Sequence, residues 1–193
     1  AVAVLLENGA TTEVAEGNDS LLHLAAGNGN AEIISLLLAK GMDINCKSRD
    51  GSTPILRAVT RRTEQNRKAC ELMISRNADL AVRSVSGDSL LHSAAKNSWA
   101  STVRMLLGRG ANANDCNAAG ETPLHLAMNY NSVETVTLLL DHGADLNART
   151  KSGVLPVQYA AMNGDPVLLD ALSARGIDML SRTTSGETVL HYA

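Results

Sequence analysis

The sequence contains no phenylalanine, and aromatic residues make up only 2% of it. Its core must therefore be built from Leu, Ala, Val and Ile, a composition that suits short, closely packed helices. No apolar run approaches the roughly 18 residues needed to cross a bilayer. We therefore expect no direct membrane insertion and an intracellular protein, with the cytoplasm favoured over the nucleus.

Cysteine is scarce as well. Cys46, Cys70 and Cys116 are odd in number, widely spaced and without a Cys-x-x-Cys pair. This pattern favours reduced structural thiols over a disulfide framework or a zinc site. We expect neither a metal nor a cofactor.

Motifs for catalysis are also missing. Gly-x-x-x-x-Gly-Lys-Ser/Thr, His-Glu-x-x-His and Gly-x-Ser-x-Gly do not occur, so we expect no enzyme and no small-molecule substrate. The net charge is −3, and no aromatic residues interleave the basic ones. Nucleic acid is therefore not an expected partner.

The segment from residue 120 to residue 148 has the signals of a helical hairpin. Gly120 suits a tight turn with positive φ, and Thr122, followed by proline, is a good helix N-cap. Ser132 can cap a second helix, which Gly143 can end. Because neither helix is long enough to be stable alone, neighbouring units must cover their apolar faces.

This hairpin recurs along the chain at a fixed period. Its four-residue slot, Thr-Pro-Leu-His, begins at residue 122, and related slots begin at residues 20, 53, 89, 155 and 188. The spacings are 33, 36, 33, 33 and 33 residues. A period near 33 with helix–turn–helix content is typical of stacked repeats.

The chain resembles the ankyrin repeat family over its whole length. The resemblance is carried by Thr122-Pro123-Leu124-His125 and by the helix ends Gly9-Ala10, Gly110-Ala111 and Gly143-Ala144. It implies an all-α solenoid of stacked helix–turn–helix units with short β-hairpin-like turns. The predicted single domain, 1–193, contains a partial repeat 1–14, repeats 15–47, 48–83 with a three-residue insertion, 84–116, 117–149 and 150–182, and a partial repeat 183–193. Because neither end shows a polar capping face, we expect these residues to be part of a longer protein.

Repeat 48–83 departs from the pattern of the other repeats. In repeat 48–83 the insertion falls between Ala58 and Cys70, where it is expected to lengthen the inter-helix loop. The same repeat has Leu56 in place of the slot histidine and Asn77 in place of the helix-ending glycine.

The slot histidines occupy one repeated position, which favours a structural role over a catalytic base or a metal ligand. They are His23, His92, His125 and His191. In repeat 150–182, Leu155 and Gln158 replace Thr and His. The side-chain hydrogen bond that the family makes between these two positions therefore cannot form there.

Basic residues are concentrated in residues 47–76, which carry eight of them against three acids. The residues predicted to cluster on the first helix and long loop of this repeat are Arg57, Arg61, Arg62, Arg67 and Lys68. They could bind an acidic peptide or a phosphate group through charge-assisted hydrogen bonds. The alternative is a solvated loop whose charge is offset by its acidic neighbours.

The resemblance implies a protein-interaction scaffold whose first helices and turn tips line a concave groove. The candidate partner-binding residues are Arg49, Arg57, Arg61, Arg62, Asp88, Lys96, Trp99, Glu121, Tyr130, Lys151 and Met162. Trp99 and Tyr130 are scarce large residues that could anchor a partner, with local packing as the alternative for each. We expect a protein or peptide with an acidic segment, bound across repeats 48–149. The alternative function is a regulatory or structural repeat segment acting in cis on an enzyme, channel or other effector domain of a larger parent protein.

Two asparagines fit a modification pattern. Leu37 followed by Asp43-Ile44-Asn45, and Leu139 followed by Asp145-Leu146-Asn147, resemble the asparaginyl-hydroxylation acceptors of ankyrin families. Asn45 and Asn147 are the candidate acceptors. The alternative is that this spacing reflects only a helix end and the turn that follows.

Overall fold

Paired short helices make up the fold in the computed structural model, which describes residues 19–130, 132–163, 166–174 and 186. The helices in these ranges are α1 Leu21–Gly27, α2 Ala31–Ala39, α3 Pro54–Ala58, α4 Glu64–Ser75, α5 Leu90–Lys96, α6 Ala100–Gly108, α7 Pro123–Asn129, α8 Val133–Asp141, α9 Pro156–Asn163 and α10 Pro166–Ala174. None of these helices is both long enough and apolar enough to cross a bilayer. The predicted partial repeat 1–14, His191 and nearly all of 183–193 lie outside the described residues.

The hairpin predicted from Gly120 onward is confirmed. Helix α7 begins after the N-cap Thr122, and α8 begins after the N-cap Ser132. Gly120 and Gly143 adopt φ values of 78° and 79°, and Asn77, at the helix-ending position, adopts 60°. Asparagine tolerates this left-handed backbone better than most side chains, so Asn77 can replace the expected glycine.

The first of two compact units comprises residues 1–84. Helix α1 packs against α3, and α2 packs against α4, so first helices contact first helices and second helices contact second helices. Each first helix also packs against the second helix of its own hairpin. The buried apolar residues between them include Leu22, Ile34, Ile55 and Met73.

The second unit, residues 85–193, repeats this arrangement with three hairpins. First helices α5, α7 and α9 form one row, and second helices α6, α8 and α10 form the other. Leu91, Leu106, Leu124, Leu139 and Leu168 are among its fully buried or nearly fully buried side chains. The predicted all-α class and the stacked hairpins are thus confirmed.

The insertion in repeat 48–83 lengthens the inter-helix loop, as expected, to residues 59–63, whereas residues 28–30 and 97–99 make the same connection in the neighbouring repeats. It also lengthens the second helix. Helix α4 has 12 residues, whereas α2, α6 and α8 have nine each. Thr63 caps α4, and Arg67 forms ion pairs with Glu64 and Glu71 on either side of it along the helix. These interactions stabilise an additional N-terminal turn. Arg67 and Lys68 therefore lie in α4 and not in the loop, which comprises residues 59–63.

Candidate functional site

The four-residue slots hold a buried polar network. In the slot that begins at Thr122, the backbone N–H of Thr122 donates to His125 Nδ1 at 3.0 Å. The Thr122 hydroxyl contacts the same nitrogen at 2.9 Å, and His125 Nε2 contacts the carbonyl oxygen of Val154 at 3.1 Å. Because a carbonyl oxygen can only accept, Nε2 carries the proton and Nδ1 accepts from Thr122. Burial lowers the pKa of His125, which favours this neutral imidazole.

The same network recurs at two other slots. His23 Nε2 donates to the carbonyl oxygen of Ser52 in the first unit, and His92 Nε2 donates to that of Glu121 in the second, both at 2.9 Å. The three histidines are at most 1% exposed. Each one ties its own helix to the next turn tip, which confirms the structural role predicted for the repeated position.

The slots that begin at Thr53 and at Leu155 lack the histidine, and they differ in whether another side chain replaces its hydrogen bonds. Leu56 offers no hydrogen-bonding atom, and the buried Thr53 hydroxyl has no partner among the described residues. In the other slot, the backbone N–H of Leu155 donates to Gln158 Oε1 at 2.8 Å. The family's Thr–His bond is absent there, as expected, but the Gln158 carboxamide replaces part of it.

The turn tips of the second unit, residues 85–88, 118–121 and 151–154, form a closely packed row. The backbone N–H of Ala118 donates to Ser86 O at 3.0 Å, and that of Lys151 donates to Ala119 O at 2.9 Å. A Cβ atom at Gly120 would lie only 2.8 Å from the backbone nitrogen of Lys151. Glycine is therefore needed at this position for both its positive φ and the close approach of the next tip.

The acidic candidates of the second unit are engaged within the tips. Asn117 Nδ2 donates to Asp88 Oδ1 at 2.8 Å and to Glu121 Oε2 at 2.9 Å. The Tyr159 hydroxyl donates to Glu121 Oε1 at 2.8 Å, and burial together with this carboxylate raises the pKa of Tyr159 to about 12. Asp88 and Glu121 thus hold neighbouring tips together. The sequence pattern predicts partner binding for both carboxylates and gives no signal for Tyr159.

The remaining candidates of the second unit are not equally accessible. Lys96 and Lys151 are exposed, and Met162 is 59% exposed. Tyr130 is half-buried at the C-terminal end of α7. Trp99 is only 6% exposed, so its proposed role as a surface anchor is wrong and local packing is the correct alternative.

In the first unit, Arg57 is held by two acids. Its Nη2 donates to Asp19 Oδ1 at 2.8 Å and to Asp50 Oδ2 at 3.1 Å. The pKa of the Asp50 carboxyl is lowered mainly by hydrogen bonds from Ser48 and from the backbone, with a smaller effect of Arg57. The charge of Arg57 is therefore largely offset by the chain's own carboxylates.

The other basic candidates of this unit are exposed. They are Arg49, Arg61 and Arg62. Arg61 Nη1 lies 3.5 Å from the side-chain oxygen of Asn28. This weak contact with a neutral amide does not neutralise the charge of Arg61.

Comparison with known proteins identifies the family. A model described as ankyrin repeats (three copies) matches residues 1–84 and 63–150. The chain belongs to the ankyrin repeat family. Ankyrin repeats are generally protein-interaction modules and generally non-enzymatic, which gives the broad functional class of the chain.

Two relatives match parts of the chain. An ankyrin repeat protein of fowlpox virus (strain NVSL) is 36% identical over 99 residues, which cover 50% of this chain and 28% of the viral protein. Zygote-specific protein 3 of Chlamydomonas reinhardtii is 42% identical over 52 residues, or 27% of this chain and 14% of that protein. The matched part is thus less than a third of either relative.

The asparagines singled out for modification occupy a repeated ankyrin position. Asn45 Oδ1 accepts from the backbone N–H of Asp79 at 2.8 Å. Asn114, one repeat before Asn147, accepts in the same way from Asp145 at 2.7 Å, and its amide donates to the carbonyl of the helix-ending glycine. Such bonds join successive helix ends and explain why asparagine recurs there. Hydroxylation of Asn45 and Asn147 stays a prediction.

The cysteines are free thiols in different environments. Cys70 is buried, Cys46 is half-buried and Cys116 is exposed. Burial raises the pKa of the Cys70 thiol to about 12. In the part of the chain that the structure describes, no group of His, Cys, Asp and Glu side chains is arranged to hold a metal ion.

Proposed function

We propose that the chain binds a partner protein through the turn tips and the exposed ends of its first helices. One observation carries the proposal. In the repeats from 48–83 to 150–182, the position at or within two residues of the C-terminal end of the first helix holds Thr60, Lys96, Asn129 and Met162, which range from half-buried to exposed. A hydroxyl, an ammonium, an amide and a thioether thus occupy one position of an otherwise repeated frame.

The rigidity of this frame supports the proposal. The slot histidines tie helices to tips, and in the second unit the tips are joined by backbone hydrogen bonds. Side chains presented by a fixed backbone lose less conformational freedom on binding. Such a face is well suited to protein recognition, and its chemistry is set by the exposed residues.

Those residues favour an acidic partner in both units. In the first unit the exposed groups are Arg49, Arg61 and Arg62; in the second they are Lys96 and Lys151. Because exposed charges are screened by solvent and salt, we expect them to act mainly on association rate and salt sensitivity. An apolar contact with Met162, and with the half-buried Tyr130, would act mainly on dissociation.

Affinity capture with matched variants tests this proposal. The immobilised chain is used to capture proteins from a lysate, the captured protein is identified by mass spectrometry, and its affinity is then measured with purified components. One variant, Lys151→Gln with Met162→Ser, alters the tip and first-helix face. The control, Arg104→Gln with Val167→Ser, makes similar changes on the second helices α6 and α10, where Val167 is 64% exposed.

We expect the face variant to weaken binding by about tenfold and the control to leave it unchanged. Equal loss in both variants would indicate a non-specific effect of charge and hydrophobicity. Loss in the control alone would place the partner on the second helices and overturn the proposal.

A further inference from the structure

A row of exposed residues runs along the turn tips of the second unit. It consists of Val85, Ala118 and Lys151, each of which lies four residues before the start of its slot. We call it the tip row. All three residues are exposed, and Val85 is 108% exposed. From the first hairpin of the unit to the third, the side chains of the tip row change from isopropyl, through methyl, to an ammonium group.

A second row lies at the C-terminal ends of the first helices. This helix-end row consists of Lys96, Asn129 and Met162, each of which lies seven residues after the start of its slot. Its side chains change in the opposite order, from an ammonium group, through an amide, to a thioether. Apolar groups therefore occupy one pair of diagonally opposite corners of the face, Val85 and Met162. Ammonium groups occupy the other pair, Lys96 and Lys151.

The middle hairpin of the unit shows that these positions are exposed within a stack. The structure describes the hairpins on both of its sides, and α7 packs against both α5 and α9. These neighbours do not bury its members of the two rows, since Ala118 is exposed and Asn129 is half-buried. Exposure in the rows is therefore a property of the repeat position and is not confined to the first or last hairpin.

The dimensions of the face follow from the packing of the first helices. Helices that pack side by side have axes about 8–10 Å apart, so the first and third hairpins are separated by about 16–20 Å. Helix α5 has seven residues. A helix of this length extends about 10 Å, which sets the distance between the two rows. A face of this size accommodates an extended segment whose side chains point alternately to the two rows.

The carboxylates of the tips are engaged within the unit. Asp88 accepts hydrogen bonds from Ser86 and Asn117, both at 2.8 Å. Glu121 accepts from Asn117 at 2.9 Å and from Tyr159 at 2.8 Å. The lysines of the two rows form no ion pair with any residue that the structure describes. A carboxylate of a partner is therefore a suitable counterion for each lysine.

We infer that the second unit binds an extended segment of its partner that carries one apolar and one acidic residue on each side, in opposite order on the two sides. Alternate side chains of an extended chain point to opposite sides, and each residue adds about 3.3 Å. Two side chains that point to one row and reach the first and third hairpins are therefore about six residues apart, since their separation in sequence must be even. The inference rests on the proposed function and adds to it the pattern of the bound segment.

The simplest sequence of this kind is an apolar–acidic pair, then roughly four residues, then an acidic–apolar pair. We call it the crossed pattern. It is the same in both chain directions, so the direction of binding does not change the expected sequence. Exchanging the two residues of one end pair keeps the composition and the net charge of the peptide. The exchange places an acidic residue beside an apolar corner and an apolar residue beside a lysine.

Selection from a displayed library of random peptides tests the inference on the full chain. We expect the enriched peptides to share the crossed pattern. A synthetic copy is then compared with the peptide in which one end pair is exchanged, and isothermal titration calorimetry measures both affinities. The exchanged peptide should bind about tenfold more weakly.

Variants of the chain test the individual corners. Val85→Ser and Lys96→Gln should each weaken binding of the synthetic peptide about three- to tenfold. The matched control, Arg104→Gln with Val167→Ser on the second helices, should leave the affinity unchanged. On Lys96→Glu, the library should enrich peptides in which Lys or Arg replaces one acidic residue. Circular dichroism should show the same unfolding midpoint for all these variants, since the altered side chains are exposed.

Other outcomes separate this inference from the proposed function. Enriched peptides that lose affinity with Lys151→Gln and Met162→Ser but lack the crossed pattern would overturn the inference and leave the proposed function standing. Equal binding of the crossed and exchanged peptides would have the same meaning, as would peptides that ignore the Val85 and Lys96 variants. Peptides affected only by the second-helix control would overturn both.

Discussion

The slots that begin at Thr53 and at Thr122 both open with Thr-Pro and a buried aliphatic residue but differ in hydrogen bonding. Both threonines are buried, at 3% and 2% exposure, and both precede a proline that starts a helix. His125 gives the Thr122 hydroxyl a partner, whereas Leu56 leaves the Thr53 hydroxyl without one among the described residues. One substitution thus separates a satisfied polar cluster from an orphaned polar atom.

The comparison shows that the slot works as a cluster and not as separate contacts. His125 accepts from Thr122 and donates to the next tip, so its loss leaves polar groups unpaired on both sides. An unpaired buried polar group costs more than the hydrogen bond itself contributes. The other solution in this chain, Gln158, keeps a bond to the backbone of its slot.

His125→Leu should have the largest effect, because it converts the complete slot into one like that of Thr53. It orphans the Thr122 hydroxyl and the Val154 carbonyl. We expect a loss of about 2–4 kcal/mol in the free energy of unfolding. Urea denaturation followed by circular dichroism measures it; a loss below about 1 kcal/mol would show that the cluster contributes little.

Thr122→Val should cost less, since it removes the hydroxyl but keeps the imidazole and its bond to the next tip. Loss of the bond between the Thr122 hydroxyl and His125 Nδ1 predicts about 1–2 kcal/mol of destabilisation. The same denaturation experiment measures it. A neutral result would mean that the Thr122 hydroxyl is no better placed than that of Thr53.

His125 should also make stability depend on pH. Burial lowers its pKa in the folded state, so the unfolded state binds more protons as the pH falls below about 6.5. The contribution of His125 is complete above that pH and is lost progressively below it. The stability difference between the unmodified chain and His125→Gln should therefore narrow from about pH 7 to about pH 5. A constant difference over this range would contradict the neutral buried imidazole.

Thr53→Val should have the smallest effect. Because it replaces an unpaired buried hydroxyl with a methyl group of similar size, we expect a change within about 0.5 kcal/mol, with a gain in stability favoured. Urea midpoints of Thr53→Val and Thr122→Val, measured side by side, provide the comparison. Equal losses in the two variants would remove the distinction between the slots.

The local structure of the hairpins was predictable from sequence because its signals lie close together. The N-caps Thr122 and Ser132, the positive φ of Gly120 and Gly143, and the replacement of a glycine by Asn77 each depend on residues within one or two turns. The family resemblance added the stacking of successive hairpins into a solenoid.

Contacts between residues far apart in sequence were not predictable in the same way. Glu121 is bound by Tyr159, 38 residues away, and its engagement is visible only once the tips are stacked. For Trp99 the sequence leaves anchoring and local packing open, and only the fold shows that the side chain is buried. The extra turn of α4 was not predicted because Arg67, which pairs with Glu64 and Glu71 in the fold, was assigned to the first helix and long loop.

The central claim is that the buried slots stabilise the fold, whereas the turn tips and exposed first-helix ends bind the partner. It is tested most directly by measuring both the unfolding free energy and the partner affinity of the same two variants. Thr122→Val should lose about 1–2 kcal/mol of stability and keep the affinity for the captured partner within about twofold. Lys151→Gln with Met162→Ser should keep the unfolding free energy within about 0.5 kcal/mol and lose about tenfold in affinity. The opposite pattern, with the slot variant losing affinity while folded and the face variant losing only stability, would contradict this division.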